Sequence, residues 1–137
     1  METSNKLEII ELLARSAYAL DQRKLELLEN TFSEGASFVI DINGVDGEVS
    51  FSGRQAIMDL MTGSMEEQSD QRRHVVTNVF FETEGDQRAM VVSNVTITSV
   101  ENGAIRLVTT GLYLDEVVLE DGNWRIGARR IELDMAY

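Results

Sequence analysis

The chain contains no cysteine, no proline and a single histidine. Without cysteine there is no disulfide framework, no thiolate nucleophile and no cysteine metal site. One histidine alone also leaves a zinc centre short of ligands. Without proline, no helix or strand is interrupted by a missing backbone donor. Basic residues are scarce: 12 Lys and Arg against 24 Asp and Glu give a formal charge of −12. That balance disfavours nucleic acid and anionic membrane surfaces, which call for a basic footprint, and it favours solubility. No apolar run approaches the roughly 18 residues of a membrane span. The opening METSNKLEII lacks the cationic start and apolar stretch of a secretory signal. No G-x-S-x-G and no glycine-rich phosphate loop occurs, so serine hydrolase and nucleotide chemistry are not indicated. These absences lead to the expectation of a cytoplasmic protein that needs neither a metal nor an organic cofactor.

What is present reads as one domain over residues 1–137, since the length is that of a common single domain and the 43% apolar share is ordinary. From Lys6 to Leu20, Ile10, Leu13, Ala14, Ala17 and Tyr18 recur at helical spacing. Ser4 or Asn5 is placed to cap this helix. After a break at Asp21, Leu25, Leu28 and Phe32 form one face of a second helix that Gly35 ends. Residues 36–42 alternate as a strand. Residues 43–51 carry the turn signals Asn43-Gly44 and Asp46-Gly47 and predict a turn or hairpin. Gly53 introduces a third helix with Ile57, Leu60 and Met61 on its apolar side. Then the period changes. Residues 72–83, 87–100, 104–119 and 123–135 are long β-branched-rich runs. Short breaks at Gly85, Asn102-Gly103 and Asp121-Gly122 imply antiparallel hairpins. Helices segregated from strands predict an α+β fold. In it a curved antiparallel sheet wraps around the N-terminal helices, forming a cone with an internal, largely apolar pocket. Residues 43–52 and 62–71 are lid candidates.

Within that plan His74 is the first candidate, because imidazole is the side chain best matched to proton transfer near neutral pH. Strict alternation groups His74 with Val76, Asn78 and Phe80. Tyr18 and Asp21 follow Ala14 at helical spacing, on or just beyond one helix face. A carboxylate ending such a stripe needs a partner, and His74 would serve; capping the second helix is the competing role for Asp21. In the last strand Trp124 and Ile126 share one parity, while Ile131 and Leu133 have the other. The slip predicts a β-bulge at Gly127-Ala128 and puts Arg129 on the apolar face. There Arg129 either anchors an anionic or carbonyl oxygen of a ligand or forms an internal salt bridge. Phe38, Phe80, Tyr113 and Trp124 are expected to pack in the core or line the pocket. Asn78, Asn94 and Thr109 are weaker candidates to orient a ligand. Val75, Val91, Val95, Val108 and Leu112 are expected on the outer face of the sheet, where a second copy is the simplest cover.

A resemblance runs along nearly the whole chain. AYALDQRKLELLENTFSEGASFVID resembles the opening of the SnoaL-like polyketide cyclase family, within the nuclear-transport-factor-like (cystatin-like) α+β cone superfamily. FSGRQAIMDLM, RRHVVTNVFFE and TTGLYLDEVVLEDGNWRIGARRIELD agree with its later elements. That superfamily spans dehydratases, a dehydrochlorinase, an isomerase, cyclases and pure binding modules, so fold does not settle function. The dehydratase and dehydrochlorinase branch is the most similar. It uses an aspartate after the first helix and a histidine on the strand after the third, positions matched by Asp21 and His74. Tyr18 and Arg129 match a tyrosine and an arginine found in some members. Scytalone dehydratase uses a second histidine, which is absent here. The ketosteroid isomerase aspartate lies on the first strand, where SFVIDI puts Ile40 inward and Asp41 outward.

Residues and resemblance together lead to an expected lyase-type enzyme, a dehydratase or related β-elimination catalyst acting on a small apolar molecule through an Asp21–His74 pair. Tyr18 would bond the departing or enolic oxygen, and Arg129 would meet developing charge. Phe38, Asn78, Phe80, Tyr113 and Trp124 would bind substrate. An isomerase or cyclase using the same pocket, and a non-catalytic binding or association module, are the alternatives. A homodimer is expected.

Overall fold

A computed structural model describes residues Met1–Tyr137. Helix α1 (Thr3–Asp21) and the short α2 (Leu25–Glu29) lead into strands β1 (Phe32–Ile42) and β2 (Val49–Ser52). Helix α3 (Arg54–Glu67) follows, then β3 (Gln71–Thr83), β4 (Arg88–Glu101), β5 (Ala104–Glu120) and β6 (Asn123–Leu133). The six strands form one sheet in the order β2-β1-β6-β5-β4-β3, antiparallel throughout except for the β1–β6 pair. Helix α1 packs along β3 and reaches β6, and α3 lies over β1. This is the expected α+β cone with helices on the concave side.

Hairpin chemistry fixes the register of β4, β5 and β6. Asn102-Gly103 sits between the paired residues Glu101 and Ala104, and Asp121-Gly122 between Glu120 and Asn123. All four turn residues have positive φ, the mark of two-residue turns whose twist matches that of the strands. Bulges then curl the sheet. Gly127 is the extra residue on β6, because Glu116 faces Ala128 while Val117 faces Ile126. The bulge that the parity slip predicts is therefore present. A second bulge at Asn78 (φ +57°) lies between the pairs Thr77–Asn94 and Phe80–Val92.

Several expectations change. Helix α1 starts from Glu2 with no side-chain cap; Asn5 instead accepts a bond from Trp124 Nε1 at 3.3 Å. Its buried stripe is Ile9, Leu12, Leu13, Ser16 and Ala19, leaving Ile10 and Tyr18 exposed. The adjacent apolar pairs Ile9-Ile10 and Leu12-Leu13 fit two helical phases, and packing against both β3 and β6 selects the other one. Helix α2 ends at Glu29, and Phe32 already belongs to β1, where it is fully buried. Gly35 is thus a strand residue. Val91, Val95 and Val108 are buried rather than on the outer face. On β4 the odd-numbered residues 89–99 point inward, and Val108 is the extra residue where Ile97 faces Thr109 and Thr98 faces Leu107. Val75 and Leu112 are exposed as expected.

The core is a large cluster at the closed end, built on Ile9, Leu13, Phe32, Val117, Trp124 and Ile126, and a smaller one of Val95, Ile97, Val108 and Tyr113. Between β5 and β6 a Cβ on Gly111 would lie 2.3 Å from Glu132 O and 3.0 Å from Leu133 Cα. Both obstacles are backbone and cannot swing aside. Gly111→Ala is expected to cost about 1–3 kcal/mol or more in denaturant unfolding, and wild-type stability in this variant would contradict that close approach.

Candidate active site

A cavity of about 110 Å³ lies between α3, the end of α1 and the concave face of the sheet, with mostly apolar walls that include Phe38, Ile40, Leu60, Val95 and Ile131. Apolar cavities of about 150 Å³ hold one benzene-sized ring, so this space suits a compact ligand.

Strand β3 is an edge of the sheet, and the C-terminal end of α1 covers the start of that edge. The Asp21 carboxylate joins the two elements. Its Oδ2 accepts the backbone N–H of His74 at 2.8 Å, and its Oδ1 lies 2.6 Å from His74 Nδ1. Gln71 Nε2 adds a bond to the Asp21 carbonyl at 3.0 Å. An ionised carboxylate only accepts, so Nδ1 carries the proton of this contact, and in the neutral ring Nε2 is then the free acceptor. The ring lines the cavity, and Nε2 has no partner in the protein. Asp21 does not cap α2, whose N-terminus follows Lys24 without a side-chain bond.

Arg129 also lines the cavity, at its expected place on the apolar face, but it is committed. Its Nε and Nη2 donate to the two Asp115 oxygens at 2.8 and 3.0 Å, and both residues are buried. Breaking such a pair costs about 3–5 kcal/mol, whereas a hydrogen bond to a charged group returns about 1.5–3. Arg129 therefore stays with Asp115. Burial opposes its charge, yet the Asp115 carboxylate more than offsets this and holds its pKa above the ordinary value. Its guanidinium stacks on the Tyr113 ring, 3.9 Å from the centroid. Burial pushes the Tyr113 phenol up to about 12, against the lowering influence of Arg129. The phenol therefore keeps its proton and can donate. Tyr113 lines the cavity and has no hydrogen-bond partner in the protein.

Near the mouth, the buried Asp70 accepts bonds from Ser99 Oγ and, at 3.1 Å, from Arg72 Nε. The Ser99 bond holds its carboxyl below the usual aspartate range, with Arg72 assisting against burial. Ser64, Met65, Gln68 and Asp70 line the cavity, so the 62–71 segment borders the site. The 43–52 segment does not, because it folds back as β2 against β1.

The structure thus brings together Asp21, His74, Arg129, Phe38 and Tyr113. Tyr18 is 52% exposed on the far side of α1, out of the site. Asn78 and Phe80 are exposed because the bulge at Asn78 turns Val79 and Phe81 inward instead. Trp124 packs in the closed-end core against α1. Asn94 is exposed, and Thr109 donates to the Met135 carbonyl at 2.7 Å. Ile40 lines the cavity while Asp41 bonds Arg130 on the outer side, the expected alternation. Sequence reasoning missed Asp115 and Asp70. Asp115 was legible in principle, since it shares parity with the inward Tyr113 and Val117.

Residues 1–130 match the family model of the SnoaL-like domain. The chain belongs to the SnoaL-like domain family. Solved structures agree on the fold. A protein of unknown function from Mycobacterium tuberculosis is 25% identical, with TM-score 0.81 over 95% of this chain and 72% of that one. A cystatin-like protein of unknown function from Nostoc punctiforme is 22% identical, with TM-score 0.82 over 98% and 94%. Aln2 from a Streptomyces species is also 22% identical, with TM-score 0.83 over 96% and 92%. No curated protein sequence matches significantly. In this SnoaL-like domain no helix is long and apolar enough to cross a membrane, and no group of three or more His, Asp or Glu side chains is arranged to hold a metal.

Asp70 gives a pH prediction. A carboxyl with a lowered folded-state pKa contributes stability that is complete above the unfolded value, about 3.9, and is lost as pH falls through the folded one. Asp70→Asn is therefore expected to lower the melting temperature at pH 7, with the gap to wild type narrowing by pH 3. A gap that does not change with pH would contradict the assignment.

Proposed function

We propose that this SnoaL-like domain is a lyase-type enzyme that eliminates water, or a comparable leaving group, from a small and largely apolar carbonyl compound. The observation that carries the reading is the 2.6 Å contact between His74 Nδ1 and Asp21 Oδ1, made on the wall of an apolar cavity. His74 Nε2 takes the proton from the carbon next to the carbonyl. Asp21 holds the ring in the Nδ1–H tautomer and stabilises the imidazolium that forms. The Tyr113 hydroxyl, rather than Tyr18, donates to the carbonyl oxygen as enolate charge develops. Arg129, fixed behind the ring, contributes positive potential without leaving Asp115. The electron pair of the broken C–H bond forms the carbon–carbon double bond. The β carbon–oxygen bond breaks, and the hydroxyl departs as water with the proton returned by the imidazolium. Isomerisation or cyclisation would use the same first step.

The test is proton abstraction itself. Small cyclic ketones are incubated in D2O and followed by NMR for exchange next to the carbonyl, and their 3-hydroxy derivatives for enone formation. His74→Ala is expected to slow both by about 10²–10⁴-fold, and Asp21→Asn to slow both by disturbing the tautomer. Exchange without enone formation would favour the isomerase or cyclase reading. Unchanged rates in both variants would overturn the pair.

We also propose that the outer face of the sheet joins two copies. The exposed Phe80 continues through its cross-strand neighbour Val92 to Leu114, with Val75 and Leu112 beside the row. Charges such as Glu82, Glu116, Arg130 and Glu132 border this field. Two chains that each carry −12 meet with least repulsion where side chains are uncharged. Light scattering is expected to give twice 15.4 kDa, and Phe80→Glu to halve that mass. A wild-type monomer would contradict the proposal.

A further inference from the structure

The distribution of paired and unpaired cations singles out the cavity mouth. Of the 12 basic residues, all but Arg23, Lys24, Arg73 and Arg106 pair with a carboxylate. Three of these four gather where α1 ends against the start of β3. Arg23 and Lys24 follow the helix directly, and Arg73 reaches back to Gln22 Oε1 at 2.5 Å. With 24 acidic residues in the chain, cations left free beside the site call for an explanation.

Arg23 is the one that lines the cavity. A left-handed backbone (φ +56°) turns the chain there. Its Nη2 donates to the Gln68 carbonyl at 2.8 Å and to the Asp70 carbonyl at 3.5 Å. Carbonyls position a guanidinium without neutralising it. Nη1 and Nε keep their donors, and a guanidinium edge of this kind matches an oxyanion. The carboxylates at the mouth are already satisfied: Asp70 by Ser99 and Arg72, and Asp21 by His74. Arg72 also faces the Tyr137 ring, 5.8 Å from its centroid.

We propose that the ligand is an organic acid, an apolar body about one ring in size that enters the cavity while its carboxylate is held at the mouth by Arg23. This rests on the cavity being the substrate site. Arg23 alone of these free cations lines the cavity, and its single charge fits a carboxylate better than a phosphate dianion. In a chain of net charge −12, the local positive rim also makes the mouth the point where an anion approaches most easily.

Isothermal titration at low ionic strength tests this with benzoate, its neutral isostere benzamide and phenyl phosphate. Wild type is expected to bind benzoate more tightly than benzamide, with the advantage shrinking as salt is added. Arg23→Gln is expected to weaken benzoate about tenfold or more and to leave benzamide unchanged, while Arg23→Lys recovers part of the loss. Melting curves check that both variants fold. Benzoate undergoes no turnover, so its binding separates this proposal from the proton-transfer reading. Equal affinity for benzoate and benzamide, or no binding of either, would overturn it. So would unchanged benzoate affinity in Arg23→Gln. Phenyl phosphate binding more tightly than benzoate would overturn the choice of carboxylate.

Discussion

The Asp21 carboxylate answers a backbone problem and a side-chain problem at once. An edge strand presents N–H groups that no neighbouring strand satisfies, and the His74 N–H is one of them. Asp21 accepts it at 2.8 Å and places its other oxygen 2.6 Å from the ring. The position of α1 against β3, the rotamer of His74 and the tautomer of its ring are therefore set by one group. The walls of the cavity follow from the same contact, because the end of α1 forms part of its mouth.

Burial selects which groups remain free for chemistry. An unpaired polar group inside an apolar space is costly, and the cone contains several polar side chains. Most are consumed: Arg129 by Asp115, Asp70 by Ser99 and Arg72, Thr109 by the Met135 carbonyl. The cavity-lining groups that keep unused capacity include His74 Nε2, the Tyr113 hydroxyl and, at the mouth, the Arg23 guanidinium. Among them are an acceptor for a proton, a donor for an oxygen and a cation for an anion, the three groups on which the proposed chemistry and ligand rest.

Much of this was legible in the sequence, and the exceptions have a common cause. The hairpins were read correctly because Asn102-Gly103 and Asp121-Gly122 encode their turns locally. The bulge at Gly127 was legible because apolar parity changes across it and glycine marks the place. The bulge at Asn78 has the same form, but Val75–Phe81 is apolar on both parities, so no slip can be seen and Phe80 was assigned inward. Tyr18 failed in a related way, since neighbouring apolar residues on α1 allow two phases. Asp21 and His74 were found because each is chemically out of place on its element; their contact spans 53 positions and no local pattern could establish it.

Family membership narrows the fold more than the reaction, and the internal ion pairs indicate why. The Asp115–Arg129 pair is buried beside Tyr113, where an apolar pair of similar size would often be at least as stable. Its presence is better explained by what it does to the cavity than by what it adds to the fold. It fixes a positive charge behind a phenol that burial has already made a durable donor, with its pKa pushed up to about 12. In the proposed reaction this arrangement would favour negative charge on a ligand oxygen facing Tyr113, with His74 as the base. The proposed reaction then constrains how a ligand must lie, with its acidic carbon toward His74 Nε2 and its carbonyl toward the Tyr113 hydroxyl.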